Sequence, residues 1–178
     1  GIFSARQGAG KTTFGTVVAH NTALNGYKTI QLVFEDEVES VIRQHIAIET
    51  ATNRKLLKGM TEEKIESGLD YLKNKNSFKF LNENLIVWHP QNETTVEDIE
   101  QFIINISNRY DFKAEVLIID YFGCIKHTTN PVKDKTTAEE QAMKKIKRII
   151  AHKYNMAVWV LYQKNRLGAS NVSRENYD

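Results

Sequence analysis

Ala5-Arg6-Gln7-Gly8-Ala9-Gly10-Lys11-Thr12 has the form of a phosphate-binding loop, G-x-x-x-x-G-K-[ST], with Ala5 in place of the first glycine. Each residue type has a physical task there. Small residues let the backbone wrap close to oxygen atoms, so that its N–H groups point at an anion. Lys11 brings a full positive charge to the β- and γ-phosphates of a nucleoside triphosphate, and the Thr12 hydroxyl is a ligand for Mg²⁺. The flanks agree. Gly1-Ile2-Phe3-Ser4 reads as the end of a strand, and Lys11 to Asn25 as a helix with Phe14, Val17, Val18 and Leu24 inward. Gly26 stops that helix at C′. Strand, loop and helix in this order are the setting the motif needs, and the helix adds the positive end of its dipole.

Outward from the loop, apolar runs alternate with helical patterns. Thr29 to Phe34, Leu85 to Trp88, Val116 to Ile119 and Val158 to Leu161 read as strands. Glu37 to Thr52 and Thr61 to Lys75 read as helices, the second broken by Lys73-Asn74-Lys75-Asn76. Thr94-Thr95-Val96-Glu97 reads as a capping box that opens a helix to about Arg109, and Thr137 with Glu140 as another. The helix after Thr137 places Met143, Ile146, Ile150 and Tyr154 on one face. Near-continuous apolar strands between helices predict an α/β fold, a doubly wound and mainly parallel sheet flanked by helices.

Composition sets bounds. The 178 residues suffice for one domain with a real core, and 41% hydrophobic content with only 2 Pro argues against disorder. No apolar run approaches the ~20 residues that span a bilayer, so no membrane role is expected. The chain opens in the middle of a buried strand with no secretory leader, which we take as the start of a segment of a longer protein. The single cysteine, Cys124, excludes an internal disulfide, fits a reducing compartment and reads as a small buried packing residue. The five histidines lack metal-ligand spacing and read as ordinary surface or core residues. Net charge is +2, yet from Lys126 to Lys153 there are eight bases against three acids. That segment is a candidate polyanion contact, with a solvated helix face as the bland alternative.

Ligands of such sheets bind at the carboxyl ends of the strands. There the sequence places Glu35 after Phe34, Asp120 after Val116 to Ile119, and Gln163 after Tyr162. An acid after four apolar residues has the Walker B form, so Asp120, with Thr12, is the expected Mg²⁺ holder. Glu35 is placed to act as general base on an attacking water. Gln163 is placed to sense the γ-phosphate. Asp36 and Glu37 read as acids at a helix start, where they are favoured in any case.

These motifs together resemble the ATPase domain of DnaB-type replicative helicases. Ala5 to Thr13 and Phe14 is similar to the opening of that domain, in which Ala often stands first. Phe34-Glu35 followed by Glu39 resembles its second motif, and Ile118-Ile119-Asp120-Tyr121-Phe122-Gly123 its Walker B segment. Tyr162-Gln163-Lys164-Asn165-Arg166 is similar to its strand-end Gln followed by Asn-Arg, and Arg174-Glu175 to its next motif. The Asp-Tyr-Phe-Gly form resembles helicases of large tailed phages most closely. The resemblance implies a RecA-like P-loop NTPase core that uses ATP and Mg²⁺ and assembles as a ring of six around single-stranded DNA. It also implies two DNA-gripping loops, about 126–136 and after Gln163. The expected DNA contacts are Lys126, Lys133, Lys135, Lys164 and Arg166, while Lys144, Lys145 and Arg148 are left to a solvated helix face. A primase and a helicase loader are further partners it allows. It places the protein in the cytoplasm, of a bacterial host if phage-encoded.

Residues 1–178 then read as one RecA-like domain, short of the family's pattern at both ends. The family's arginine finger, N-terminal domain and linker helix have no counterpart here, so the isolated segment is expected to be monomeric and slow. A RecA- or RadA-like strand-exchange ATPase shares the same core. A small-molecule kinase would need an arginine-bearing lid, and Arg54 and Arg109 lie in no obvious one. A nucleotide-binding module without activity would not need both Glu35 and Asp120.

Overall fold

Five parallel strands form the sheet, in the spatial order β1-β5-β4-β2-β3. They are β1 (Ile2–Ala5), β2 (Thr29–Val33), β3 (Leu85–Trp88), β4 (Val116–Asp120) and β5 (Ala157–Gln163). The computed structural model describes residues 1–6, 8–52, 76–90, 93–126 and 135–163. The helices are α1 (Lys11–Leu24), α2 (Val38–Thr50), α3 (Asn76–Asn84), α4 (Val96–Tyr110) and α5 (Lys135–Lys145), which continues as a π-helical stretch, Ile146–His152. The helix expected over 61–75 lies outside the described residues.

Strand alternation divides the molecule into two faces. Val116 and Ile118 of β4 and Trp159 and Leu161 of β5 pack with Ala19, Phe14 and Val18 of α1. Leu117 and Ile119 of β4 and Val158 and Val160 of β5 pack on the other face with Ile99 and Ile103 of α4 and with Ile146 and Ile150, which follow α5. Each such fully buried Ile or Leu contributes roughly 1.5–3 kcal/mol. Met143, Ile146, Ile150 and Tyr154 share that face as the periodicity predicts.

Several local expectations are corrected. Val17 is 37% exposed, and the buried face of α1 is instead Gly15, Thr16, Ala19, His20 and Ala23. The helix lies too near the sheet for larger groups: a Cβ on Gly15 would meet Leu161 at 2.7 Å. The capping box of α4 is Thr95 with Asp98, one residue later than expected. Thr137 lies inside α5, which is already helical at Lys135. The chain does not open in a buried strand, because β1 is at one end of the described sheet and Ile2 is 65% exposed. Cys124 is half-buried in a 3₁₀ turn, Phe122–Cys124. Of the break expected at Lys73 to Asn76 only Asn76 is described, and it is helical, the first described residue of α3. Leu81 and Asn84 are the buried residues of α3, and the Asn84 amide donates to the Ala23 carbonyl at 3.4 Å. Tertiary contact thus overrides poor helix propensity.

A buried polar chain crosses the α1 face. Gln31 of β2 donates to Thr16 Oγ1 at 3.0 Å and meets His45 Nε2 at 2.9 Å. His45 and His20 lie Nδ1 to Nδ1 at 3.3 Å, and His20 Nε2 is 3.4 Å from Glu49. Ser77 of α3 donates to Glu49. Burial pushes His45 down to about 3, with the His20 charge adding to the effect. Burial also lowers His20, against the opposing pull of Glu49.

Both imidazoles are therefore neutral in the fold over a range where the unfolded chain binds protons. Below the ordinary value of 6.5, the unfolded state gains protons that the folded state does not, and stability falls with pH. The slope reaches about 1.4 kcal/mol per pH unit for each such group. Denaturant titrations should show stability present above pH 6.5 and lost towards pH 3, with a flatter profile for His45→Gln. An unchanged profile in that variant would contradict the assignment.

Candidate active site

The carboxyl ends of β1, β5, β4 and β2 lie side by side. Register sets the alignment: Ala5 pairs with Gln163, and Val33 with Asp120. Pleat alternation then aims the chemistry. Gln163 follows Trp159 and Leu161 on the α1 face, and Asp120 follows Val116 and Ile118 on the same face. The loop that leaves β1 opens α1 on that face too.

Gly8 and Gly10 have φ of 76° and 82°, a backbone that only glycine adopts without strain. Gly10 is the N-cap of α1, and its carbonyl accepts from the Phe14 N–H at 2.9 Å. Ala9 N–H donates to the Arg6 carbonyl at 3.2 Å, which closes the turn. Among the described residues no side chain caps the start of α1, and no acid lies in its first turn. Its first N–H groups are thus directed at an anion position.

Lys11 is only 8% exposed, and its ammonium donates to Gln163 Oε1 at 3.5 Å. Asp120 is 6% exposed and accepts a hydrogen bond from the Thr12 side chain. Burial pushes the Asp120 carboxyl up to about 6. The Thr12 bond opposes this, the charges of Asp36 and Glu35 reinforce it, and Lys11 pulls it back down. Phe34 N–H donates to the Asp120 carbonyl at 2.9 Å, which pins the end of β2 against β4. The peptide between Asp120 and Tyr121 is cis. Among the described residues, no three His, Cys, Asp or Glu converge as a metal cage. Asp120 and Thr12 nonetheless offer hard oxygen donors of the kind Mg²⁺ takes when phosphates and water complete its shell.

The structure brings Lys11, Thr12, Asp120 and Gln163 together, with the Glu35 charge close enough to act on Asp120. Arg6, Gly8, Ala9 and Thr13 are exposed around them. Asp36 is the residue that sequence reasoning passed over. Glu37 is the N-cap of α2, so Asp36 lies in the bend before the helix. Its charge acts on Asp120 more strongly than that of Glu35. The available signal was chain length: a bend between Val33 and Val38 leaves room for two strand-end acids.

The expected DNA contacts are less gathered. Lys126 is exposed and paired with Glu93 at 2.7 Å. Lys135 is the first residue of α5, with its side chain outside the description. Gln7, Lys133, Lys164 and Arg166 lie outside the described residues. On α5 and the turn after it, Lys144 and Arg148 are not buried, and Lys145 pairs with Glu97 at 2.6 Å.

Comparison with known families finds a match over residues 1–175 to the DnaB-like helicase C-terminal domain. The chain belongs to this family. It is a DnaB-like helicase ATPase domain, and membership implies ATP binding. Two solved structures share the fold. One is a DnaB-like replicative helicase, described with its interactions with primase, at TM-score 0.75 and 18% identity over 93% of this chain and 38% of that one. The other is described as an ATPase domain, at TM-score 0.73 and 18% identity over 93% of this chain and 57% of that one. This chain thus spans well under two thirds of either. No curated protein matches it. The family matched is the one that the motifs resemble.

Lys11→Ala removes the cation that touches Gln163. Calorimetry should find ATP binding lost, with the melting temperature within about 4 °C of the parent protein, a change near 1 kcal/mol. Undiminished ATP affinity would remove Lys11 from the site.

Proposed function

We propose that this chain is the motor segment of a replicative DNA helicase, which hydrolyses ATP to move along single-stranded DNA and unwind duplex. The observation that carries this is the convergence of Lys11, Gln163, Asp120 and Glu35 at adjacent strand ends of a DnaB-family domain. Lys11 and the first turn of α1 bind the phosphates. Thr12 and Asp120 would hold Mg²⁺, which would supply neutralisation of the phosphate charge. Glu35 orients and deprotonates the attacking water, with Asp36 as the other carboxylate within electrostatic reach. Gln163, already on Lys11, reports on the γ-phosphate.

We further infer that residues 1–178 act as one domain within a ring of six around single-stranded DNA in a phage-type replication system. Lys126, Lys133, Lys135, Lys164 and Arg166 would then contact the DNA backbone. The structure described with primase makes a primase a partner to test, and a helicase loader is the other. A cytoplasmic setting fits this role. Among the described residues no helix is long and apolar enough to cross a membrane.

The test is ATP turnover of the complete protein with and without single-stranded DNA. Strong stimulation, with unwinding of a tailed duplex, is expected; a rate indifferent to DNA would overturn the motor reading. Glu35→Gln should keep ATP affinity and lower turnover by roughly 10²-fold or more. Asp120→Asn should instead raise the Mg²⁺ concentration needed for half-maximal rate. Normal turnover in Glu35→Gln would transfer the base role to Asp36. Replacing Lys126, Lys133 and Lys135 with Ala should lower the slope of log K against log salt by about 0.7 per lost contact. An unchanged slope would return those lysines to the solvated surface.

A further inference from the structure

Tyr162 is the neighbour of Gln163 in β5 and faces the opposite side of the sheet. Its ring packs in the core on the α4 and α5 side, 6.4 Å from the Phe122 ring. Its hydroxyl donates to Glu139 Oε2 on α5 at 2.7 Å. That bond, with burial as a lesser cause, raises the Tyr162 phenol above its ordinary range. The Glu139 charge also acts on Tyr121, next to Asp120, whose phenol burial pushes up to about 12. Glu139 is therefore close to the end of β5 and to the residue that follows β4. Four residues earlier, Lys135 is the first described residue of α5.

Resting on the motor reading above, we propose that the Tyr162–Glu139 hydrogen bond couples α5 to Gln163, which makes Tyr162 and Glu139 positioning residues for DNA-stimulated hydrolysis. Gln163 is one peptide unit from Tyr162 on the opposite face of β5, so a shift of the strand end carries both. A displacement of α5 that pulls on the Tyr162 hydroxyl tilts the end of β5 and shifts Gln163 against Lys11. The structure holds this bond made, and the second state that the coupling requires would have it broken. DNA on the basic segment would act on α5 at its first turn, and the γ-phosphate would act on Gln163 at the other end.

The experiment uses the complete protein, with ATP turnover measured at saturating single-stranded DNA and without DNA. Tyr162→Phe removes only the hydroxyl and keeps the ring against Phe122. Glu139→Ala removes the acceptor, and Glu139→Gln keeps an oxygen that accepts. Tyr162→Phe and Glu139→Ala should each lower DNA-stimulated turnover about tenfold, the scale of one hydrogen bond to a charged acceptor. The double variant should be no slower than the slower single. Glu139→Gln should recover most of the loss. KM for ATP and the DNA-free rate should stay within about twofold. The link is overturned if stimulated turnover is unchanged, if the two losses multiply, or if the DNA-free rate and melting temperature fall in step with it. No stimulation in the unmodified protein overturns the motor reading and the link together, whereas full stimulation in Tyr162→Phe removes the link alone.

Discussion

A lysine ammonium sheltered at the edge of a parallel sheet is the constraint on which this site depends. Lys11 is 8% exposed, and Gln163 is its hydrogen-bond partner. Its charge also opposes the crowding of Asp36 and Glu35 on the buried Asp120 carboxyl. A buried cation and a buried carboxyl are costly when separated and tolerable when gathered. The strand order gathers them. With β5 and β4 between β1 and β2, the loop, the glutamine and the acids fall in sequence along one edge. An order that moved β1 or β2 away from this pair would separate charges that here compensate one another.

The two faces of the sheet divide the work. On the α1 face, Gly15 lets the loop helix sit close to Leu161 and Ile118, which fixes Lys11 and Thr12 relative to the strands behind them. Beneath it the chain Thr16–Gln31–His45–His20–Glu49 ties α1 to β2 and α2 with hydrogen bonds. The opposite face carries the larger apolar core and the α5 helix. Tyr162 and Gln163 are where these faces meet through a single peptide unit, which is why adjacent residues of one strand serve such different surroundings.

Much of this was legible in the sequence. The phosphate loop and the four apolar runs located five strands nearly to the residue, because buried parallel strands are written as near-continuous hydrophobic runs, with Gln31 the polar break in β2. Asp120 and Gln163 were readable as strand-end residues for the same reason. What escaped depended on distance rather than pattern. Val17 looks inward on a helical wheel, but α1 packs so closely that its buried face includes Gly15, Ala19 and Ala23. The Asn-rich α3 has no strong local signal and is held by contact with α1. Thr94 and Thr95 are interchangeable in sequence, and only the bond from Asp98 N–H to Thr95 Oγ1 at 3.2 Å chooses between them. The π-helical turn after α5, closed by bonds such as Lys153 N–H to the Arg148 carbonyl at 3.3 Å, leaves the apolar periodicity intact and so no trace in it. Asp36 was hidden because a helix start and a strand end favour the same residue type.

The most direct test of the account is a structure of the complete protein with Mg²⁺ and a non-hydrolysable ATP analogue. The account predicts the β- and γ-phosphates within hydrogen-bonding distance of Lys11 Nζ and the first N–H groups of α1, the metal beside Thr12 and Asp120, and Gln163 turned to the γ-phosphate. Phosphates bound away from this edge would contradict it, for example in the cavity of about 250 Å³ lined by Ile42, His45, Glu49 and Phe78.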